Sequence, residues 1–293
     1  MTAALRVLAP GASATIQDLG RPGWFVAGVG VAGAADTASL RLANRLVGND
    51  EGAAGIECVL GGLQLEALAP LTLAVTGATA PISVDETPVA HASVLRLRPG
   101  ARLRLGLAAT GLRVYVAVRG GIAVEPVLGS RSRDTMAALG PEPLDAGTEL
   151  PIGPPPAAWP TVDVAPVAPL TNDPIHARVV LGPRDDWFTR PSDLFVAHWT
   201  VTDKVDRVGA RLARPADAPA LTRLNDKELP TEGMALGSIQ VPPSGEPVVF
   251  LADHPITGGY PVVGVVVADD IGKLARARPG QQVAFLPALR QPG

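Results

Sequence analysis

Three polar, glycine-rich segments interrupt the apolar pattern of the sequence and contain side chains that could do chemistry. They are QDLGRPG at 17–23, GSRSRD at 129–134 and DHPITGGYP at 253–261. The guanidinium groups of Arg21 and Arg131 offer planar forks of donors that suit a carboxylate or a phosphate. Each of these two segments also has a structural interpretation: an Asp18–Arg21 pair that fixes the first loop, and a solvated turn for the second.

The third segment combines an acid–base pair with hydroxyl groups. Asp253 and His254 are adjacent, Thr257 and Tyr260 provide hydroxyls, and Gly258-Gly259 lets a ligand approach the backbone closely. The segment lies between two apolar runs, so we predict a loop at one end of a sheet, where functional residues concentrate. A lone histidine is usually structural, so the loop as a whole is the better candidate than His254 by itself.

Several kinds of site are not expected. The only Gly-Lys pair, Gly272-Lys273, is followed by Leu274, which excludes a P-loop for nucleotide phosphates. The four histidines are far apart and the one cysteine is Cys58, so we expect neither a sequence-local metal site nor an intrachain disulfide. A biotinylated lysine normally stands between methionines, and no lysine here does, so we expect no covalent biotin on this chain.

Composition narrows the class of protein. The 293 residues contain 25 basic and 28 acidic side chains, and a net charge of −3 argues against a nucleic-acid partner. No run approaches the roughly 20 apolar residues needed to cross a bilayer. The first ten residues lack a basic start followed by a long apolar stretch, so no signal peptide is predicted. We therefore expect a cytoplasmic protein with no membrane partner.

The elements that would position these residues are mostly short strands. Apolar and polar residues alternate in several runs that end at Gly or Pro, for example at 95–98, 102–105 and 112–118. With 32 glycines and 30 prolines, a mainly helical protein is excluded. Two helices are predicted: one after Asp36 as N-cap, with Leu40 and Ala43 on its apolar face and Gly48 as its stop, and one over 270–276.

A proline-rich segment divides the sequence. We predict a β-barrel-like domain over 1–153, a proline-rich linker over 154–172, and a second β-barrel domain over 173–293. The sequence RPG at 98–100 recurs at 278–280, each time before an apolar-containing extended stretch. The repeat indicates either a common type II turn at strand entry or an internal duplication.

Motifs along nearly the whole chain resemble the KipA / PxpC family, also called allophanate hydrolase subunit 2 or the biotin-dependent carboxyltransferase family. The segments that carry the resemblance are, in order, 17–23, 33–36, 42–49, 128–132, 206–212, 236–242 and 257–261. The sequence departs from the family pattern at three points: Arg184 stands where glutamine is usual, Thr231 where serine is usual, and His254 where arginine is usual. The family is also similar to the carboxyltransferase region of urea carboxylase.

The resemblance implies a fold and a function. The fold would be two cyclophilin-like β-barrel domains related by pseudo-symmetry, with few short helices. The function would be that of the C subunit of a bacterial ATP-dependent 5-oxoprolinase, a hydrolase that opens the 5-oxoproline lactam to glutamate. Its partners would be two further chains of the enzyme, one KipI / PxpB-like and one PxpA-like, with ATP bound by this chain or by a partner. We expect the chain to be inactive alone.

The resemblance also implies the site. Asp253, His254 and Tyr260 are the candidate catalytic residues. The candidate substrate-binding residues are Asp18, Arg21, Arg131, Ser132, Arg207, Arg211, Gln240 and Thr257. If Asp253 and Arg21 act only on the substrate, their replacement by alanine is expected to reduce turnover and leave stability nearly intact.

Two other functions stay open at this point. One is carboxyl transfer from biotin carried on another protein, as in urea carboxylase. The other is a non-catalytic, KipA-like regulator that binds a KipI-like kinase inhibitor.

Overall fold

The structure is a computed structural model that describes residues 3–224, 227 and 229–288. Within these residues there are 20 β-strands and two α-helices, which confirms the prediction of a mainly β fold with few short helices. The predicted domain bounds at residues 1 and 293 lie outside the described residues. Neither helix of the described part of the chain is long and apolar enough to cross a membrane.

The chain forms two compact units. Unit 1 draws on the ranges Met1–Arg21, Ala32–Asp134 and Ala138–Thr171, and unit 2 on Pro22–Val31, Thr135–Ala137 and Asn172–Gly293. Two short stretches from the first half of the chain are thus part of unit 2. A single boundary in the proline-rich segment does not predict that these two stretches (the two excursions, 22–31 and 135–137) belong to unit 2. Their assignment depends on tertiary contacts, which no local sequence pattern encodes.

Unit 1 contains eleven strands and one helix. These are β1 Ala3–Pro10, β2 Ala14–Gln17, α1 Thr37–Leu46, β3 Gly55–Val59, β4 Leu63–Ala67, β5 Leu71–Thr79, β6 Ile82–Val84, β7 Thr87–Pro88, β8 Val94–Leu97, β9 Arg102–Leu105, β10 Thr110–Val118 and β11 Glu149–Pro151. One sheet has the order β11-β1-β4-β9-β6-β7, and the other has the order β2-β3-β10-β5-β8.

The core of unit 1 joins its two sheets. Strand β4 alternates buried and half-buried residues, as the period-two pattern predicts for a sheet with one buried face. A single apolar cluster contains Leu65 of β4 and Leu103 of β9 from one sheet, together with Val75 of β5 and Val116 of β10 from the other. The inner faces of the two sheets therefore pack against each other.

Helix α1 begins and ends where the sequence predicts. The Asp36 side chain accepts a hydrogen bond from the Ser39 backbone N–H and so caps the first turn. Ala43 and Leu46 pack against Ala74 of β5 and Ala117 of β10. The helix is therefore held on the outer face of the five-stranded sheet by its apolar side, as its 3.6-residue period requires.

Unit 2 contains nine strands and one helix. These are β12 Ile175–Leu181, β13 His198–Val205, β14 Gly209–Ala213, β15 Glu232–Gly233, β16 Ser238–Gln240, β17 Val248–Phe250, β18 Thr257–Gly258, β19 Val262–Val266, α2 Ala268–Ala275 and β20 Gln282–Pro287. Seven strands form a closed barrel in the order β12-β19-β16-β17-β14-β13-β20. The parallel pairing of β12 with β20 closes it, so the predicted barrel is closed in this unit.

A buried carboxylate anchors helix α2 to the barrel. Asp270 accepts hydrogen bonds from the backbone N–H and the Nε of Arg178, both at 2.8 Å, and an ion pair joins it to Lys273 at 2.8 Å. The Arg178 guanidinium, hydrogen-bonded to Asp270, holds the pKa of that carboxyl well below its usual range. The helix starts at Ala268 rather than at residue 270, and Asp269 and Asp270 lie in its first turn, where negative charge is favourable.

The segment predicted as a linker packs on unit 1 up to Thr171. Arg119 Nη1 donates to the Val47 carbonyl at 2.7 Å, and its Nη2 donates to the carbonyls of Pro156 and Ala158. Its guanidinium carbon lies 3.8 Å from the centroid of the Trp159 ring. One buried arginine thus binds the end of α1 and the proline-rich segment together, so residues 154–171 form part of unit 1.

Candidate functional site

The first two sequence-predicted segments meet in unit 1 around Asp18. Its Oδ1 accepts hydrogen bonds from Gly20 N, Ser130 Oγ and Ser132 Oγ at 2.7, 2.6 and 2.5 Å, and its Oδ2 accepts from Arg131 N at 2.6 Å. Both carboxylate oxygens are therefore occupied by donors of the protein. Asp18 and Ser132 hold the loops 17–23 and 129–134 together, and this geometry suits positioning residues better than residues that bind a ligand directly.

Backbone conformation shapes these loops. Leu128 and Gly129 have φ angles of 53° and 83° between Val127 and Ser130, which exchange two backbone hydrogen bonds. Positive φ at both central residues is the requirement of a tight type I′ turn. Gly33 has a φ of 91°, and a Cβ there would lie 2.8 Å from Gly20 N, so only glycine allows the first loop to pack so closely.

Arg21 lies between the same loops but is not paired with Asp18. It is 1% exposed, its Nη2 donates to the Ser132 carbonyl and its Nε is 3.4 Å from the Val127 carbonyl. Its Nη1 is buried and has no hydrogen-bond partner. The structural interpretation of an Asp18–Arg21 ion pair is wrong, because Asp18 accepts instead from the 130–132 segment. Arg131 is half-buried, and its Nε donates to the Val124 carbonyl at 2.7 Å.

In unit 2, Asp253 and Arg207 form a buried two-contact ion pair. Arg207 Nε donates to Asp253 Oδ2 and Arg207 Nη2 to Oδ1, each at 2.8 Å, and the two residues are 6% and 2% exposed. Thr135 adds two donors to Oδ2, its backbone N–H at 2.8 Å and its hydroxyl at 2.7 Å. Asp253 is thus saturated with donors, and this geometry suits a residue that fixes the loop better than one that accepts a proton.

His254 is buried beside this pair but forms no hydrogen bond with Asp253 in the described structure, so the predicted acid–base pair is not a hydrogen-bonded dyad. His254 Nδ1 is 2.8 Å from the Pro255 carbonyl oxygen. Since a carbonyl only accepts, the neutral ring has its proton on Nδ1, and Nε2 is a free acceptor. The ring stacks on Phe250, with centroids 6.0 Å apart. The imidazole is therefore fixed in tautomer and orientation.

The remaining predicted residues of the 253–261 loop lie in or just after one strand of a small two-stranded sheet. Thr257 is exposed in β18, which pairs with β15. Gln240 Nε2 donates to the Tyr260 carbonyl at 3.1 Å, and the Tyr260 side chain is 46% exposed. Gln240 therefore holds the backbone of the loop, while the phenol of Tyr260 and the hydroxyl of Thr257 are open to a ligand.

Arg211 lies apart from these residues. It is exposed on β14 and lines a surface depression of about 300 Å³ with Asp203, Lys204 and Asp206. This depression contains none of the other candidate residues. The structure therefore places Arg211 with a different surface of unit 2.

Sequence reasoning missed the contacts of three residues around this two-stranded sheet and the 253–261 loop. Thr135 supplies two of the donors to Asp253, and nothing in the sequence near it indicates this contact. Arg184, which replaces the usual glutamine, forms a two-contact ion pair with Glu232 of β15. Hydrogen bonding to Arg184 lowers the pKa of Glu232. The sequence shows that Arg184 departs from the family pattern, but it does not show that Glu232 is the partner of Arg184.

Side chains of the types that bind metals are not clustered around these loops. Within residues 3–224, 227 and 229–288, no group of three or more His, Cys, Asp or Glu side chains is arranged to hold a metal ion. In unit 2 the described loops offer an imidazole and two hydroxyls to a ligand, and in unit 1 they offer the buried Nη1 of Arg21.

Comparison with known proteins gives a consistent result. Residues 27–287 match the family described as carboxyltransferase domain, subdomain A and B. The chain is 34% identical over 287 residues to the C subunit of 5-oxoprolinase from Escherichia coli (strain K12), and the match covers 96% of this chain and 90% of that protein.

Two solved structures are similar in fold. The crystal structure of TTHA0988 has a TM-score of 0.86 and 34% identity, and the match covers 97% of this chain but 56% of that one. The Kluyveromyces lactis urea carboxylase has a TM-score of 0.89 and 29% identity, with 97% of this chain and 27% of that one covered. This chain thus spans about half of the first protein and about a quarter of the second.

Proposed function

Since the chain belongs to the family of the carboxyltransferase domain, subdomain A and B, we propose that it acts as the C subunit of an ATP-dependent 5-oxoprolinase. The observation that supports this most is the similarity to the Escherichia coli protein over nearly the whole of both chains. The urea carboxylase match, in contrast, covers a small part of a longer protein. The proposed partners are a KipI / PxpB-like chain and a PxpA-like chain, and the protein alone would be inactive.

The proposed reaction is the opening of the 5-oxoproline ring. One water hydrolyses the lactam C–N bond to give glutamate, and a second is consumed as ATP becomes ADP and phosphate. An amide carbonyl is a poor electrophile, and phosphorylation of the lactam oxygen by ATP would activate the carbon for attack by the first water. The ring nitrogen would then leave with a proton to give an acyl phosphate, which the second water hydrolyses to glutamate and phosphate. The protein must then hold anionic oxygens and move protons near the carbonyl carbon.

The fixed His254 suits the transfer of the proton. Its Nδ1 is held by the Pro255 carbonyl, which leaves Nε2 free to accept a proton from water. The open hydroxyls of Thr257 and Tyr260 would donate to the substrate. Asp253, with Arg207 and Thr135 on its oxygens, would be a positioning residue for His254.

The test is glutamate release from 5-oxoproline by the reassembled enzyme, measured with and without this chain and with and without ATP. We expect release only when this chain, both partner chains and ATP are present. The exposed surface variant Arg102→Gln serves as the matched control and should behave as wild type, since the Arg102 side chain is 67% exposed and forms a surface ion pair with Glu66. Release that is independent of this chain would contradict the proposal.

A second candidate function is carboxyl transfer from biotin carried on another protein, which the fold similarity to urea carboxylase favours. It predicts activity with a carboxylated biotin carrier and none with 5-oxoproline. A complex with a KipI-like chain that shows neither activity would indicate a regulator. The chain itself should contain no covalent biotin, and its intact mass after coexpression with a biotin ligase checks this directly.

A further inference from the structure

The four arginines that the sequence predicts for the site have different partners in the structure. Arg207 is neutralised by Asp253 in two contacts, and Arg211 is exposed in another surface depression. Arg131 is only half-buried, and its Nε donates to a carbonyl. Arg21 alone among the four combines deep burial with an unpartnered nitrogen.

Arg21 is a buried cation whose described contacts are backbone carbonyls. The carbonyls of Ser132 and Val127 accept from Nη2 and Nε, and no carboxylate of the described residues pairs with it. Burying a guanidinium without an opposite charge is unfavourable, because the lost hydration is not compensated by an ion pair. Buried charges in proteins are therefore normally paired.

The unpartnered Nη1 is a second indication that Arg21 lacks a partner, because buried N–H groups in proteins normally have an acceptor. Asp18 cannot supply the acceptor, since its two oxygens already accept from four donors of the loops 17–23 and 129–134. The same contacts fix the loops around Arg21. An anion brought by a ligand would provide both the missing charge and the missing acceptor.

We propose that Arg21 Nη1 is an anion-binding group of unit 1 and takes an anionic oxygen of the substrate, either the carboxylate of the lactam acid or a phosphoryl oxygen. This inference rests on the proposed function for its substrate. Where the anion is the carboxylate, Arg21 is also a specificity-determining residue, because it selects a negatively charged cyclic amide over a neutral one.

The first test compares a charged and a neutral substrate on the reassembled enzyme. With Arg21→Gln, kcat/KM for 5-oxoproline should fall on the order of tenfold to a hundredfold, the usual effect of losing a hydrogen bond to a charged group. The neutral carboxamide of 5-oxoproline should react with wild type and variant at similar rates. Equal losses on both substrates exclude the carboxylate as the anion. Together with no rise of the Tm on adding phosphate, they would assign Arg21 a purely structural role and overturn the proposal.

Arg119→Gln is the matched control, because Arg119 is also a buried arginine of unit 1 but its described donors are satisfied by three carbonyls. It should lower the Tm and leave the preference for the charged substrate unchanged. If Arg21→Gln does not fold, Arg21→Lys keeps the charge, and it should show a smaller loss confined to the charged substrate.

The second test measures binding without turnover. The Tm of the wild-type chain should rise with 5-oxoproline or with inorganic phosphate alone, and which of the two raises it identifies the source of the anionic oxygen. The rise should vanish in Arg21→Gln and persist in Arg119→Gln. A rise with phosphate in an assembly that does not open 5-oxoproline would contradict the proposed function but support the anion site. No rise with either anion in the wild type would overturn the anion site.

Discussion

At the scale of single residues, the structure changes the expected consequence of replacing Asp253. Sequence motifs alone predict a loss of turnover with stability nearly intact. The buried pair with Arg207 predicts otherwise, because removing one partner leaves an uncompensated buried charge.

We therefore predict that Asp253→Asn destabilises the chain by about 3–5 kcal/mol, measured as the free energy of unfolding in urea. Thr135→Val, which removes a single hydroxyl donor to the same carboxylate, should destabilise by only about 1 kcal/mol. A stability of Asp253→Asn equal to wild type would show that the pair is not structural.

A second prediction at this scale concerns His254. In His254→Asn the amide can still donate to the Pro255 carbonyl, as Nδ1 does, but the free Nε2 is lost. We expect kcat of the assembled enzyme to fall by about a hundredfold or more, the usual contribution of a positioned base, with KM and Tm little changed. Steady-state kinetics and thermal unfolding check this, and an unchanged kcat would exclude His254 from proton transfer.

At the scale of elements, local sequence patterns predicted helix caps, apolar faces and turns, because these features depend on residues that are close in sequence. The Asp36 cap, the apolar face of α1 and the alternation in β9 are all set by neighbours in sequence. Both RPG turns are present, with Gly100 and Gly280 at φ angles of 82° and 86°. The sheet partners were not predictable: β8 and β9 are joined by one such turn yet lie in different sheets. Strand pairing depends on packing across the core, which a single sequence does not display.

The candidate site shows the same division. The loops and their residue types were visible as breaks in the strand pattern, but the donors to Asp253 and the unpartnered Nη1 of Arg21 were not. These features depend on which distant segments meet. Sequence reasoning therefore identified the polar loops as candidates, but it could not distinguish the residues that hold these loops from those with groups left for a ligand.

A prediction at this scale concerns the anchor of α2. The pKa of Asp270 is lowered in the folded chain, so its carboxylate contributes stability above its unfolded pKa of about 3.9 and loses that contribution as the pH falls toward the folded value. Asp270→Asn should destabilise at neutral pH, and its difference from wild type should shrink below about pH 4. Urea unfolding from neutral to acid pH measures this difference.

Asp269→Asn is the control, because the Asp269 side chain is 89% exposed and lies 3.7 Å from Arg178. An exposed pair contributes about 0–1 kcal/mol, so this variant should follow wild type at every pH. A pH-independent effect of Asp270→Asn would show that the helix is anchored by packing rather than by the ionised carboxylate.

At the scale of the whole molecule, the main boundary between the two units lies between Thr171 and Asn172, at the end of the predicted linker, but two short stretches also cross from the first half of the chain to unit 2. Arg119 and Trp159 attach that segment to unit 1, and unit 2 takes residues from the first half of the chain. The Thr135 backbone N–H donates a hydrogen bond to the Asp253 carboxylate. The backbone of Gly30 packs near Ile256, since a Cβ built on Gly30 would lie 3.7 Å from the Ile256 side chain. The 253–261 loop therefore depends on residues that precede the predicted second domain.

This dependence predicts the behaviour of a fragment that contains only residues 173–293. All seven strands of the closed barrel lie within it, so the barrel strands should keep their protection in hydrogen–deuterium exchange. The 253–261 loop should exchange much faster than in the full chain, because the fragment lacks Thr135 and the 22–31 stretch. Equal protection of this loop in both would mean that the barrel alone holds Asp253 and His254 in place. Uniform loss of protection would instead mean that the two excursions are needed for the barrel itself to fold.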